Sequence, residues 1–157
     1  QRACLAGLPL FFGGLGSLFS GLIAERAAKW FGKAARARRV LACTGLAIAS
    51  VMLVLSPSIK SATVAMLVLG VASFSNDLAM PGAWGACMDM GGRYAGSLSG
   101  TMNMMGQVGG TLCPIAVAYI LKYTGGNWTV AFWAAGAAYA VGAVCWAFID
   151  SVTPLEE

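Results

Sequence analysis

Histidine is absent from this 157-residue sequence, and only 10% of its residues carry charge. Without imidazole, no histidine-ligated metal or haem and no histidine-based nucleophile–base pair can form. A soluble domain carries about 25% charged residues. The scarcity here, with 59% hydrophobic residues and a mean hydropathy of +0.76, describes a polytopic membrane protein. Paired cysteines are missing too. Cys4, Cys43, Cys87, Cys113 and Cys145 fall one to each apolar segment with no CxxC, so they read as small apolar fillers. Gly13, Gly14, Gly16 and Gly21 lack the preceding strand and following lysine of a phosphate loop and read as a packing surface. No repeat and no signal peptide is evident, since the first apolar segment is long and more follow at once.

What is present is a set of five apolar segments. They run over about 3–24, 40–55, 62–88, 95–121 and 129–149, each read as a membrane-crossing helix, so the fold class is an all-α transmembrane bundle. The second is the shortest and is expected to draw residues from its flanks. Arg26, Lys29, Lys33, Arg36, Arg38 and Arg39 crowd into 25–39, between two spans, which marks a cytoplasmic loop and not a nucleic-acid patch. It also suits anionic lipid headgroups. With Arg93, that side holds seven basic residues against Arg2, Lys60 and Lys122 on the other. The expected orientation has the N-terminus outside and the C-terminus, 150–157, in the cytoplasm. Asn127–Trp128–Thr129 matches a glycosylation sequon but abuts a span and reads as a chance match.

The spans divide by polarity. The second offers Thr44 and Ser50 and the fifth little beyond Tyr139, as suits helices facing lipid. The third carries Ser73, Ser75, Asn76 and Asp77. On the fourth, Gly96, Gly100, Asn103, Gln107, Gly110 and Pro114 recur at helical spacing as one small, polar stripe. A carboxylate inside an apolar run is costly in hydrocarbon, so Asp77 is expected to face protein or a wet path. At about 1.5 Å per residue, Asp77 lies roughly 15 Å, Asn103 roughly 12 Å and Gln107 roughly 18 Å from the same membrane face. The three share a layer if their helices are neighbours. Pro81 has no N–H, so the Asp77 carbonyl loses its helical partner, and a kink or opening is expected there. Two readings stand for Asn103 and Gln107, substrate contact or interhelical hydrogen bonding. Asp89 and Arg93, four apart at the rim, read as a structural ion pair or helix-end charges.

Several segments together resemble the C-terminal half of a major facilitator superfamily transporter. The nearest likeness is the anion:cation symporter branch, with its hexuronate, glucarate, galactonate and sialin-type carriers. Residues 16–21 (GSLFSG) run into Glu25–Arg26 and the basic segment, like the link between family helices 8 and 9. Residues 75–81 (SNDLAMP), Trp84 and Asp89 look like helix 10. Residues 92–96 (GRYAG), Ser99, Gly100, Asn103, Gly106 and Pro114 look like helix 11. Residues 124–128 (TGGNW) with Phe132, then Trp146 to Pro154, look like helix 12. The likeness covers essentially all of 1–157. It implies that the five spans are helices 8–12 of twelve, that 8, 10 and 11 line a cavity, and that the N-terminal half lies outside this sequence. It further implies a multi-pass protein of the bacterial inner membrane.

The expectation from the sequence is therefore a fragment of a secondary active transporter, not an enzyme and without cofactor. It would move a small organic anion such as a sugar acid by alternating access, coupled to protons or sodium. Asp77, Asn103, Gln107 and Asn76 are the expected cavity residues. Pro81 shapes the backbone, Gly100, Gly106 and Gly110 allow close packing, and Asp89, Arg93 and Glu25 act at the rim. No basic residue lies deep in a span, so the anion's charge partner must come from elsewhere. The alternative is a small structural or regulatory membrane subunit that does not transport.

Overall fold

The computed structural model describes residues 2–31 and 34–149, with side chains described except at 2–6, 24, 25, 27, 28, 31 and 34. Six α-helices and no strand occur among them: α1 (Arg2–Phe31), α2 (Ala34–Leu55), α3 (Ala62–Asp77), α4 (Met80–Gly91), α5 (Ala95–Tyr123) and α6 (Trp128–Phe148). Helical stretches 35–58, 62–123 and 128–148 are long and apolar enough to cross a membrane, and Gly7–Ile23 is a shorter apolar stretch. The all-α membrane bundle expected from the sequence is the fold observed.

Two boundaries differ from expectation. The basic segment 25–39, expected as a loop, is helical on both sides, because α1 continues to Phe31 and α2 starts at Ala34. Lys, Arg and Ala are good helix formers, and they fill most of the segment. The short second span gains its length this way. The expected third span, 62–88, is two helices, α3 and α4, parted at Leu78–Ala79. The other connections follow local chemistry. Gly125 and Gly126 adopt φ of 64° and 88°, a turn closed to most side chains. The Asn127 side chain then accepts the Thr129 N–H at 3.0 Å and caps α6, which gives that residue a structural duty of its own.

Packing inverts the pattern of a soluble domain. The most buried side chains are small: Ala37, Ala42, Ala49, Ala72, Ala79, Ala86 and Ala131, with Cys87, Ser20, Ser56 and Ser75. Large apolar side chains point outward. Lipid competes equally for Leu or Phe, so membrane helices gain by close backbone approach instead. Gly16 of α1 lies on the Phe74 carbonyl and Gly45 of α2 on the Ser75 carbonyl, each too close for a side chain to intervene. Ser50 Oγ donates to the Gly136 carbonyl at 2.7 Å, joining α2 to α6. The result is a core of α1, α2, α3 and α6 with α2 central. Among the described residues α5 packs on α4 and touches α6 at a few points, and none of its residues is buried.

At the basic end, two arginines of α2 turn inward. Arg38 pairs with Asp89 of α4 at 2.7 Å, its stem lying over Gly82 and its guanidinium over Gly85. Arg39 donates from Nη2 to the Ile149 carbonyl at the end of α6, at 2.7 Å. The sequence left Asp89 and Arg93 as an ion pair or as helix-end charges; the structure pairs Asp89 with Arg38 of another helix. Both members of the Arg38–Asp89 pair are partly exposed, so Asp89→Asn should cost no more than about 1 kcal/mol. A salt titration of the thermal midpoint in detergent checks this: the deficit should shrink at high salt, and a salt-independent loss would contradict a screened surface pair.

Candidate functional site

The break between α3 and α4 follows from one missing hydrogen. Pro81 stands in the first turn of α4, where its lack of an N–H is tolerated, but the Asp77 carbonyl loses its helical donor. Leu78 N still makes the regular bond to the Phe74 carbonyl at 3.2 Å. The chain then tightens, with Ala79 N on the Asn76 carbonyl at 3.1 Å, and regular bonding resumes with Ala83 N on the Ala79 carbonyl at 3.0 Å. The Leu78 carbonyl takes its hydrogen bond from another helix: Ser20 Oγ of α1 donates to it at 2.8 Å. Ser20 is 2% exposed.

The polar side chains of α3 gather beside this break. Asn76 Nδ2 donates to Asp77 Oδ1 at 2.7 Å. Asp77 Oδ2 and Ser73 Oγ lie against the bare Cα of Gly13, 2.5 and 2.8 Å from where a Cβ there would sit. Asp77 therefore faces α1, half-buried between helices. Asn76 borders two clefts. One, of about 310 Å³, is walled by Met80, Trp84, Met102 and Trp146 and also holds Asn103 and Gly106 of α5. The other, of about 240 Å³, lies between α1, α2, α3 and α6 and holds Ser73 and Tyr139. Neither has a charged wall.

The structure thus brings Asn76 and Asn103 to one cleft, with Gly106 beside them. It sets Asp77 next to that cleft but turned toward α1. Gln107 is exposed one turn further along α5, outside the cleft wall, and Gly100 and Gly110 are open-faced, with nothing near the position of a Cβ. Pro81 sits at the break itself. At the rim, Asp89 is held by Arg38 and the Arg93 guanidinium lies 4.9 Å from the Tyr94 ring centroid. Glu25 belongs to α1, and its side chain lies outside those described.

Ser20 and Tyr139 had no role assigned from the sequence. A signal for Ser20 existed: Gly13, Gly16 and Ser20 follow 3- and 4-residue steps and make one face of α1. The glycines divide accordingly. Gly13 and Gly16 meet α3, whereas Gly14 and Gly21 point into open space.

No family model matches the chain. It is 28% identical over 156 residues to a probable sulfoacetate transporter of Cupriavidus necator. It is 29% identical over 109 residues to a probable anion transporter, chloroplastic, of Oryza sativa, and 32% over 88 residues to a chloroplastic ascorbate transporter of Arabidopsis thaliana. These alignments cover 99%, 69% and 56% of this chain. The chain spans only 36%, 18% and 16% of the relatives' lengths, and all three relatives carry the names of transporters.

Proposed function

We propose that this chain is part of a secondary active transporter for small organic anions, working by alternating access. It corresponds to helices 8–12 of a major facilitator fold, in the anion:cation symporter branch. The C-terminus is cytoplasmic, in a bacterial inner membrane, and the missing N-terminal half faces α5. The observation that carries the reading is the cleft at the α3–α4 break, where Asn76 and Asn103 converge between otherwise apolar walls. Backbone opened at membrane depth suits a protein-lined or water-lined cavity. The names of the three relatives support an anion as cargo.

Within this reading, Asn103 and Asn76 hydrogen-bond the uncharged hydroxyls of a substrate such as a sugar acid. The cleft walls hold no cation, so the carboxylate or sulfonate is met by a basic group of the other half. Gln107, exposed on the same stripe, faces the same seam. Asp77 serves the coupling ion, a proton or sodium.

Asn103→Ala in the intact protein tests the substrate contact. Loss of one hydrogen bond is worth about 1 kcal/mol, so KM for uptake should rise roughly fivefold with membrane insertion unchanged. Asn103 is exposed within this chain and its loss leaves the bundle's packing intact. Unaltered uptake kinetics would remove it from the site. An intact protein that carries no anion from a broad panel of sugar acids and sulfonates would favour the non-transporting subunit.

A further inference from the structure

Ser20 is a buried hydroxyl that neither the cleft nor the Asp77 carboxylate uses. We propose that Ser20 is a positioning residue: its hydrogen bond to the Leu78 carbonyl fixes the angle of α4 and so places Asn103 opposite Asn76. In an unbroken helix the Leu78 carbonyl would accept from the Gly82 N–H. The Pro81 ring forces the preceding turn out of that geometry, and a carbonyl left unserved inside a membrane is costly. Ser20 supplies the donor from α1 at 2.8 Å.

The source of the donor matters for geometry. A backbone bond within one helix holds rise along that helix and carries no information about its neighbours. A hydroxyl from α1 ties the link between α3 and α4 to a third body. That body is itself seated on α3, because Gly16 rests on the Phe74 carbonyl and Gly13 on the Asp77 carboxylate. One face of α1 therefore grips the end of α3 with two glycines and the link with Ser20. Beyond the link, α4 supplies Met80, Ala83 and Trp84 to the cleft wall. It is also the main support of α5, which carries Asn103. The angle of α4 is thus transmitted to α5, and the separation of the two asparagines depends on it.

The test uses the intact protein in bilayer nanodiscs, with spin labels at exposed Ile48 of α2 and Met104 of α5. Ser20→Ala should shift and broaden the label-to-label distance distribution, and Ser20→Thr, which keeps the hydroxyl, should restore the wild-type distribution. Pro81→Ala returns the helical donors, so Ser20→Ala added to Pro81→Ala should produce no further shift. Should Ser20→Ala fail to fold alone, the comparison within the Pro81→Ala background still decides. An unchanged distribution in Ser20→Ala, or an equal shift with and without Pro81, would overturn the proposal. Uptake forms a separate arm that rests on the transport reading, where Ser20→Ala should raise KM more than it lowers the maximal rate. If the distances behave as expected and uptake does not change, the cleft's transport role fails and the positioning role of Ser20 stands.

Discussion

Gly16→Val should prevent this bundle from reaching its native packing. The Cβ of a residue at 16 would stand on the carbonyl oxygen of Phe74, which is backbone and cannot rotate aside. The only relief is separation of α1 from α3, the most extensive helix contact among the described residues. Overpacking of this kind costs about 1–3 kcal/mol even where side chains can adjust. Here the displacement also strips the Ser20 hydroxyl from the Leu78 carbonyl and lifts Gly13 off the Asp77 carboxylate. The sum is a large part of a typical stability of about 5–15 kcal/mol. Gly14→Val and Gly21→Val are the controls, because both positions open into free space. Thermal unfolding in detergent should separate the three, with only Gly16→Val markedly destabilised. Equal midpoints would mean that α1 does not lie on α3 as described.

Asp77→Asn is expected to spare the fold and damage transport. Asparagine has nearly the same shape, its carbonyl still accepts from Asn76 Nδ2, and it fits against Gly13. What disappears is the carboxyl group itself, which the proposed function assigns to the coupling ion. Interactions of a charged group are worth about 1.5–3 kcal/mol, which corresponds to roughly a 10–100-fold fall in uptake rate. Whatever uptake survives should no longer follow external pH or sodium as the wild type does. Wild-type rates at every pH and sodium concentration would reduce Asp77 to a structural hydrogen-bond acceptor.

The parts legible in the sequence are those set by chemistry within one segment. Pro81 announces the break because a missing N–H has the same consequence in any helix. The small stripe of α5 is visible as spacing alone, and Gly125–Gly126 before Asn127 marks the turn into α6. What escaped depends on which helices meet. The Asp77 side chain turns to α1 because Gly13 leaves room there, and only the α1–α3 contact reveals that. Ser20 looked like one more small residue until its partner, 58 positions away, was in place. Arg38 and Arg39 were indistinguishable from the rest of the basic segment until α4 and the end of α6 came alongside them. Gln107 shares the stripe of Asn103, yet it follows Gly106 of the cleft wall without joining it.

The polar groups beside the α3–α4 break are expected to look onto water in the intact protein, although they stand within a helical stretch apolar and long enough to cross a membrane. With the five native cysteines replaced, Asn103→Cys should react quickly with a membrane-impermeant thiol reagent and be protected by transported substrate. Val141→Cys, exposed on α6 away from the cleft, should stay unlabelled as a lipid-facing reference. Asn103→Cys as inert as Val141→Cys, with or without substrate, would contradict the account.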